Sequence, residues 1–160
     1  MSQLAAFITG VAGESLSTDE WRFLQDARPA GLILFDRNCK TPIKVRALID
    51  QFKDAIGRDN LLVLVDQEGG RVQRMKPPHW RKIPAAAAFG KLYRADPDSG
   101  LKAARAAAQL VARELGAVGV NMNCAPVLDM PIEGAHQVIG ARAFGVELAG
   151  VVALGRAVAE

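Results

Sequence analysis

The sequence predicts an α/β protein, built as about four βα units, the N-terminal half of a TIM (β/α)8 barrel. Three observations carry this reading. Short apolar runs alternate with segments of helical period, four times over, and that alternation calls for a parallel sheet with right-handed crossovers. Residues 61–65, Leu-Leu-Val-Leu-Val, form an unbroken apolar run, as in a strand covered on both faces. Finally, a full barrel typically takes about 250 residues, and this chain has 160. Its last apolar segment ends at Glu160 without a glycine, asparagine or proline stop signal. Residues 1–160 are therefore expected to be one incomplete barrel domain, truncated on its C-terminal side. Its first and fourth strands are expected to have unpaired edges.

Residues 4–9 make the first strand, closed by Gly10 and Gly13. Ser17-Thr-Asp-Glu20 matches a capping box and opens a helix through Trp21 and Leu24, which Pro29 and Gly31 stop. The second strand, residues 31–35, leaves the core at Asp36-Arg37-Asn38. Thr41-Pro42 supplies an N-cap and a first-turn proline, and Val45, Leu48, Ile49, Phe52 and Ile56 follow at helical spacing up to Gly57. After the third strand, residues 67–97 read as a long connection, of a length that is usually functional. Leu101, Ala104, Ala108, Val111 and Leu115 mark the next helix. The fourth strand is residues 119–124, and a last, almost wholly apolar helix begins near Val146.

Composition excludes several classes of function. The formal charge of +3 is scattered, with no five-residue basic run, which argues against nucleic acid. Mean hydropathy is +0.10, and the apolar run 148–154 is far shorter than the ~20 residues that span a bilayer, so no membrane role is indicated. Residues 1–10 lack a basic n-region, and Cys39 and Cys124 stand apart, outside any CxxC, so a reducing cytoplasm fits. His79 and His136 lie in different loops and suggest no metal site. With no GxGxxG after the first strand and no GxxxxGK[ST], the dinucleotide and P-loop readings also fall away. No cofactor is expected.

The chemistry centres on Asp66-Gln-Glu-Gly-Gly-Arg-Val-Gln-Arg74. Asp66 follows the third strand, at the carboxyl end where parallel α/β folds bind ligands. Asp66 and Glu68, at i and i+2, could be the paired carboxylates of a glycosidase, since retaining enzymes hold two carboxyls about 5–5.5 Å apart. The competing reading has one acid gripping substrate hydroxyls and the other ordering the Gly69-Gly70 turn. Arg71 and Arg74 favour the second, because neighbouring cations oppose the raised pKa of a catalytic acid. Beside a carboxylate, a planar guanidinium suits sugar or carboxylate oxygens. Arg142, in a glycine-bounded loop after the fourth strand, is a similar candidate with an equal claim to a structural role. Asp129 is expected to order the loop after Pro126, and both cysteines to be buried or half-buried thiols.

The nonapeptide 66–74, with Gly31-Leu-Ile-Leu-Phe before it and Ile83-Pro-Ala-Ala-Ala-Ala-Phe after it, resembles the glycoside hydrolase family 3 enzymes, and within them the bacterial β-N-acetylhexosaminidases of cell-wall recycling. Asn123-Cys-Ala-Pro-Val-Leu-Asp129 and Ile139-Gly-Ala-Arg-Ala-Phe144 continue the resemblance in order. It implies a cytoplasmic, metal-free, retaining enzyme, a monomer at full length, that removes terminal N-acetylglucosamine from muropeptides through a glycosyl-enzyme intermediate. The positions of Asp66, Arg74 and Arg142 are then substrate-binding. The family's lysine–histidine pair, acid/base histidine and nucleophilic aspartate come later than any block matched here, so no catalytic residue is assigned. The alternatives are a non-catalytic sugar-binding half barrel and a family 3 β-glucosidase.

Overall fold

A computed structural model describes residues 3–134 and 136–160. The chain divides into two compact units. The first comprises Met1–Asp66, Arg74–Trp80 and Glu114–Asn123; the second comprises Gln67–Gln73, Arg81–Arg113 and Cys124–Glu160.

The first unit holds an all-parallel sheet. Strands β1 (Ala5–Thr9), β2 (Pro29–Leu34), β3 (Leu62–Val65) and β6 (Met122–Asn123) pair in the order β1-β2-β3-β6. Helices α1 (Thr18–Ala27) and α2 (Pro42–Ile56) make the first two crossovers. This is the expected fold class, with β1 and β6 at the edges of the sheet. The expected caps are present. The Ser17 hydroxyl accepts from the Glu20 N–H while the Glu20 carboxylate accepts from the Ser17 N–H, and Thr41 caps α2 ahead of Pro42. Helix α1 ends at Arg28, which takes the left-handed conformation that frees Pro29 to start β2. Val45, Leu48, Ile49, Phe52 and Ile56 are all buried, as their spacing implies.

Register in the sheet decides where the site lies. Leu34 of β2 is level with Val65 of β3, so the turns that follow, at Asp36 and Asp66, leave the same carboxyl edge. Gly31 makes this pairing possible, because a Cβ there would come within 2.8 Å of both the Leu62 Cβ and its carbonyl oxygen. Asn38 is fully buried behind the edge. Its amide donates to the carbonyls of Val11 (3.3 Å) and Gly13 (2.6 Å), and its Oδ1 accepts from the Phe35 N–H at 2.9 Å.

The fourth strand is shorter than expected. Only Met122–Asn123 pair as a strand; before them the Asn121 N–H still donates to the Val63 carbonyl at 3.1 Å, and its side chain adds two further bonds to the third strand. Its Oδ1 accepts from the Val63 N–H, and its Nδ2 donates to the Leu61 carbonyl, each at 2.8 Å.

The second unit begins with a hairpin, β4 (Gln67–Gly69) and β5 (Val72–Gln73), followed by α3 (Ala86–Ala95). Helix α4 (Pro97–Gly116) leaves this unit after Arg113; a 3-10 turn (Gly140–Arg142) and α5 (Leu148–Ala159) complete it. The long connection is thus corrected: residues 67–97 contain a hairpin and a ten-residue helix. Helix α3 has no side-chain cap, so the alanine run that starts it carries high helix propensity without a start signal. Ala104, Phe144, Val151 and Leu154 form this unit's core, with Phe89, Tyr93 and Leu101 packed on it.

Gln73 anchors the hairpin. It is buried, donates to the Arg81 carbonyl (2.6 Å) and accepts from the Ile83 N–H (3.0 Å), while the Gly70 N–H reaches the Ile83 carbonyl at 2.9 Å. Replacing Gln73 with alanine strands the buried Ile83 N–H, removes the part-buried bond to the Arg81 carbonyl, and is expected to cost about 1–3 kcal/mol. In urea unfolding, the midpoint should fall while the slope stays unchanged.

Candidate functional site

The site starts from the step between an apolar strand and a charged hairpin. Val63 and Val65 are fully buried, so β3 has no freedom to slide, and Asp66 is delivered at its carboxyl end. The chain then turns through the hairpin and returns at Arg74, whose N–H donates to the Asp66 carbonyl at 3.3 Å. The two side chains meet, with Arg74 Nη2 donating to Asp66 Oδ2 at 2.7 Å. Arg74 Nη1 lies 4.0 Å from Asp36 Oδ1, and Lys76 Nζ donates to Asp36 Oδ2 at 2.7 Å.

The four groups alternate in sign, Asp66–Arg74–Asp36–Lys76, and their formal charges cancel. They are also graded in exposure. Side-chain accessibility is 23% for Asp66 and 26% for Arg74, against 52% and 55% for Asp36 and Lys76. The inner pair is therefore shielded enough to hold one geometry, yet open enough to touch a solute. Arg74 Nε is buried without a hydrogen-bond partner among the described residues.

Arg142 is in the second unit and takes a different acid. Its Nε donates to Glu68 Oε2 at 2.8 Å and its Nη2 to Glu68 Oε1 at 2.7 Å, a bidentate fork. The structure thus corrects two expectations for Glu68. It does not order the Gly69-Gly70 turn, which the Ile83 carbonyl holds instead, and each of its oxygens is engaged by Arg142. Asp66 and Glu68 thus each pair with an arginine of their own and not with one another.

Three further expectations meet the structure here. Asp129 is exposed, and among the described residues it makes no hydrogen bond that would order the loop after Pro126. His136 is exposed and its Nδ1 accepts from the Val138 N–H at 2.9 Å; His79 stands edge-on to Trp80. Cys39 is buried, and burial, reinforced by the Asp36 carboxylate, pushes its thiol up to about 12. A thiol so protonated is a poor nucleophile at neutral pH. Cys124, half-buried, is expected to react with a disulfide reagent under native conditions, while Cys39 reacts only after unfolding. Equal rates for the two would contradict the burial of Cys39.

Reasoning from sequence missed Asp36 and Lys76. The signal for Asp36 was present, since it follows β2 as Asp66 follows β3, but only the register shows that they share an edge. Lys76, beyond the hairpin, carried no signal of its own.

The parallel sheet, with a carboxylate–guanidinium pair at its carboxyl edge, belongs to a chain whose residues 2–160 match the glycosyl hydrolase family 3 N terminal domain. The chain belongs to that family. It is 42% identical to a beta-hexosaminidase of Xanthomonas campestris pv. campestris (strain B100) over 137 residues, 86% of this chain and 40% of that protein. With the beta-hexosaminidase of Alkalilimnicola ehrlichii it shares 40% identity over 153 residues, 96% of this chain and 43% of that one. The chain thus spans about two fifths of the length of these curated relatives. Among solved structures, NagZ from Neisseria gonorrhoeae in complex with N-trifluoroacetyl-D-glucosamine superposes with a TM-score of 0.89 at 30% identity, over 97% of this chain and 46% of that one. A glycoside hydrolase family 3 beta-N-acetylglucosaminidase from Paenibacillus sp. str. FPU-7 gives 0.83 at 32% identity, over 95% and 28%.

Proposed function

We propose that this chain supplies the sugar-gripping part of a retaining β-N-acetylhexosaminidase that removes terminal β-linked N-acetylglucosamine from peptidoglycan fragments in the cytoplasm. The observation that carries the proposal is the Asp66–Arg74 pair, held at the carboxyl edge of a parallel sheet in a family 3 chain. A carboxylate accepts from sugar hydroxyls and a guanidinium donates to them, so the pair can hold adjacent hydroxyl groups of the sugar. The names of the relatives favour an amino sugar over glucose. The resemblance gives Arg142 the same task. Muropeptides as substrates, a cytoplasmic location and a monomeric full-length enzyme rest on the resemblance.

The acid/base and the nucleophile are proposed to lie in the part of the relatives' length that this chain does not match. Without them most of the rate enhancement is lost. The 160 residues alone are expected to show no turnover of a chromogenic N-acetylglucosaminide, whereas an enzyme with a relative's full length should show it. Full activity in the short chain would overturn this division and return Asp66 and Glu68 to candidacy as a catalytic pair.

A further inference from the structure

Glu68 has no role in the reading above, yet it is the more deeply buried partner of its ion pair. Its side chain is 8% accessible, against 24% for Arg142. Both carboxylate oxygens are used, on two different nitrogens of one guanidinium, across 74 residues of sequence. Two donors on one planar group fix its orientation as well as its distance, which a single contact does not. The fork takes Nε and Nη2 and turns the Nη1 edge toward the Val138 carbonyl, 3.5 Å away. Arg71, on the same hairpin, also donates to the carbonyl of Val138 and, at 3.4 Å, to that of Gln137. The segment preceding Arg142 is therefore tied to the hairpin by two arginines, with Glu68 at the buried end.

We propose that Glu68 is the positioning residue for Arg142: it sets the direction of the guanidinium and cancels its charge, so that Arg142 reads a neutral sugar oxygen and not an anion. This rests on the reading of Arg142 as a sugar-binding residue. The charge argument follows from the pairing. An uncompensated, partly shielded guanidinium binds carboxylates and phosphates more strongly than neutral oxygens. Paired with Glu68, it keeps directional donors while its net charge is zero. A terminal N-acetylglucosamine carries no charge, so this is the electrostatic environment it requires.

The test uses the 160-residue chain and three variants: Glu68→Gln, Glu68→Asp and the exchange Glu68→Arg with Arg142→Glu. The ligand probes are N-acetylglucosamine and glucuronate, each titrated by NMR, and the Arg142 Nε–H resonance is followed in the absence of sugar. In Glu68→Gln, the Arg142 Nε–H signal should lose its protection, N-acetylglucosamine affinity should fall tenfold or more, and glucuronate affinity should rise with a dependence on salt. Glu68→Asp, which keeps the charge on a shorter arm, should keep glucuronate out and recover part of the sugar affinity. The exchange should regain thermal stability but not sugar affinity. Recovery of both by the exchange would show a purely structural ion pair and overturn the proposal. An unchanged Arg142 signal and unchanged sugar affinity in Glu68→Gln would overturn it as well. If the wild-type chain binds no N-acetylglucosamine but the Arg142 signal responds to Glu68→Gln, then the clamp stands and the sugar-binding reading fails, separating the two claims.

Discussion

In the full-length enzyme proposed above, Arg74→Ala is expected to lower kcat/KM for an N-acetylglucosaminide by about 30-fold to 1,000-fold, equivalent to roughly 2–4 kcal/mol. The size of this loss follows from what the substitution leaves behind. Asp66 would keep its place at the end of a rigid, buried strand but lose the donor 2.7 Å from its Oδ2. Asp36 would lose the cation lying between it and Asp66, and keep only Lys76. Two carboxylates at one edge would then face the sugar without the guanidinium, and removing one member of a shielded charge pair costs more than the pair's net worth. Arg74→Lys should recover little, since an ammonium restores the charge but not the planar fork. Asp66→Asn should fall in the same range, because an amide accepts fewer hydroxyl hydrogen bonds than a carboxylate. If Arg74→Ala or Asp66→Asn kept its kcat/KM, the role of that residue in substrate binding would be wrong.

Gly90→Ala is the second large effect, and its sign runs against simple propensity. Alanine is about 1 kcal/mol better than glycine in a helix interior, and Gly90 is inside α3. A Cβ at that position, however, would sit 1.6 Å from the Phe144 carbonyl oxygen and 2.7 Å from its carbonyl carbon. Both atoms are backbone, so no rotamer change relieves the clash, and α3 or the segment at Phe144 must move. Phe144 belongs to the second unit's core, so the movement opens packing against Val151 and Leu154. Overpacking of this kind costs about 1–3 kcal/mol and occasionally more, and a contact as short as this one belongs at the upper end. Thermal unfolding should show a fall in Tm of several degrees. A rise in Tm would mean that propensity outweighs the close approach.

Much of the frame was legible in the residues themselves. The capping box at Ser17, the Thr41-Pro42 start and the apolar stripe of α2 are local signals, each decided within one or two helical turns. The run before Asp66 was legible for the same reason: an unbroken aliphatic stretch ending in an acid marks both a buried strand and its exit. What stayed hidden depends on partners distant in sequence. Asn121 binds the third strand through its side-chain amide as well as its N–H, contacts to Leu61 and Val63, 60 and 58 residues away, that no local pattern announces. Helix α3 has propensity but no cap, and its place is set by packing on Phe144.

The site divides in the same way. Asp66 and Arg74 were found together because eight residues and one hairpin connect them. The partner of Arg142 was out of reach, since no local rule connects a loop arginine to Glu68 across 74 positions. Arg71 and Arg74 already spoke against an acid pair, but the arginine that holds Glu68 itself was not visible.

The most direct test of the account is a titration of the 15N-labelled chain with N-acetylglucosamine and, separately, with glucose. Saturable shifts at Asp66, the Arg74 backbone N–H and the Arg74 Nε–H, stronger for the amino sugar and absent in Arg74→Ala, are the expected result. Saturable binding that leaves Asp66 and Arg74 untouched, or no binding by a folded chain, would contradict the central claim that this pair grips the sugar.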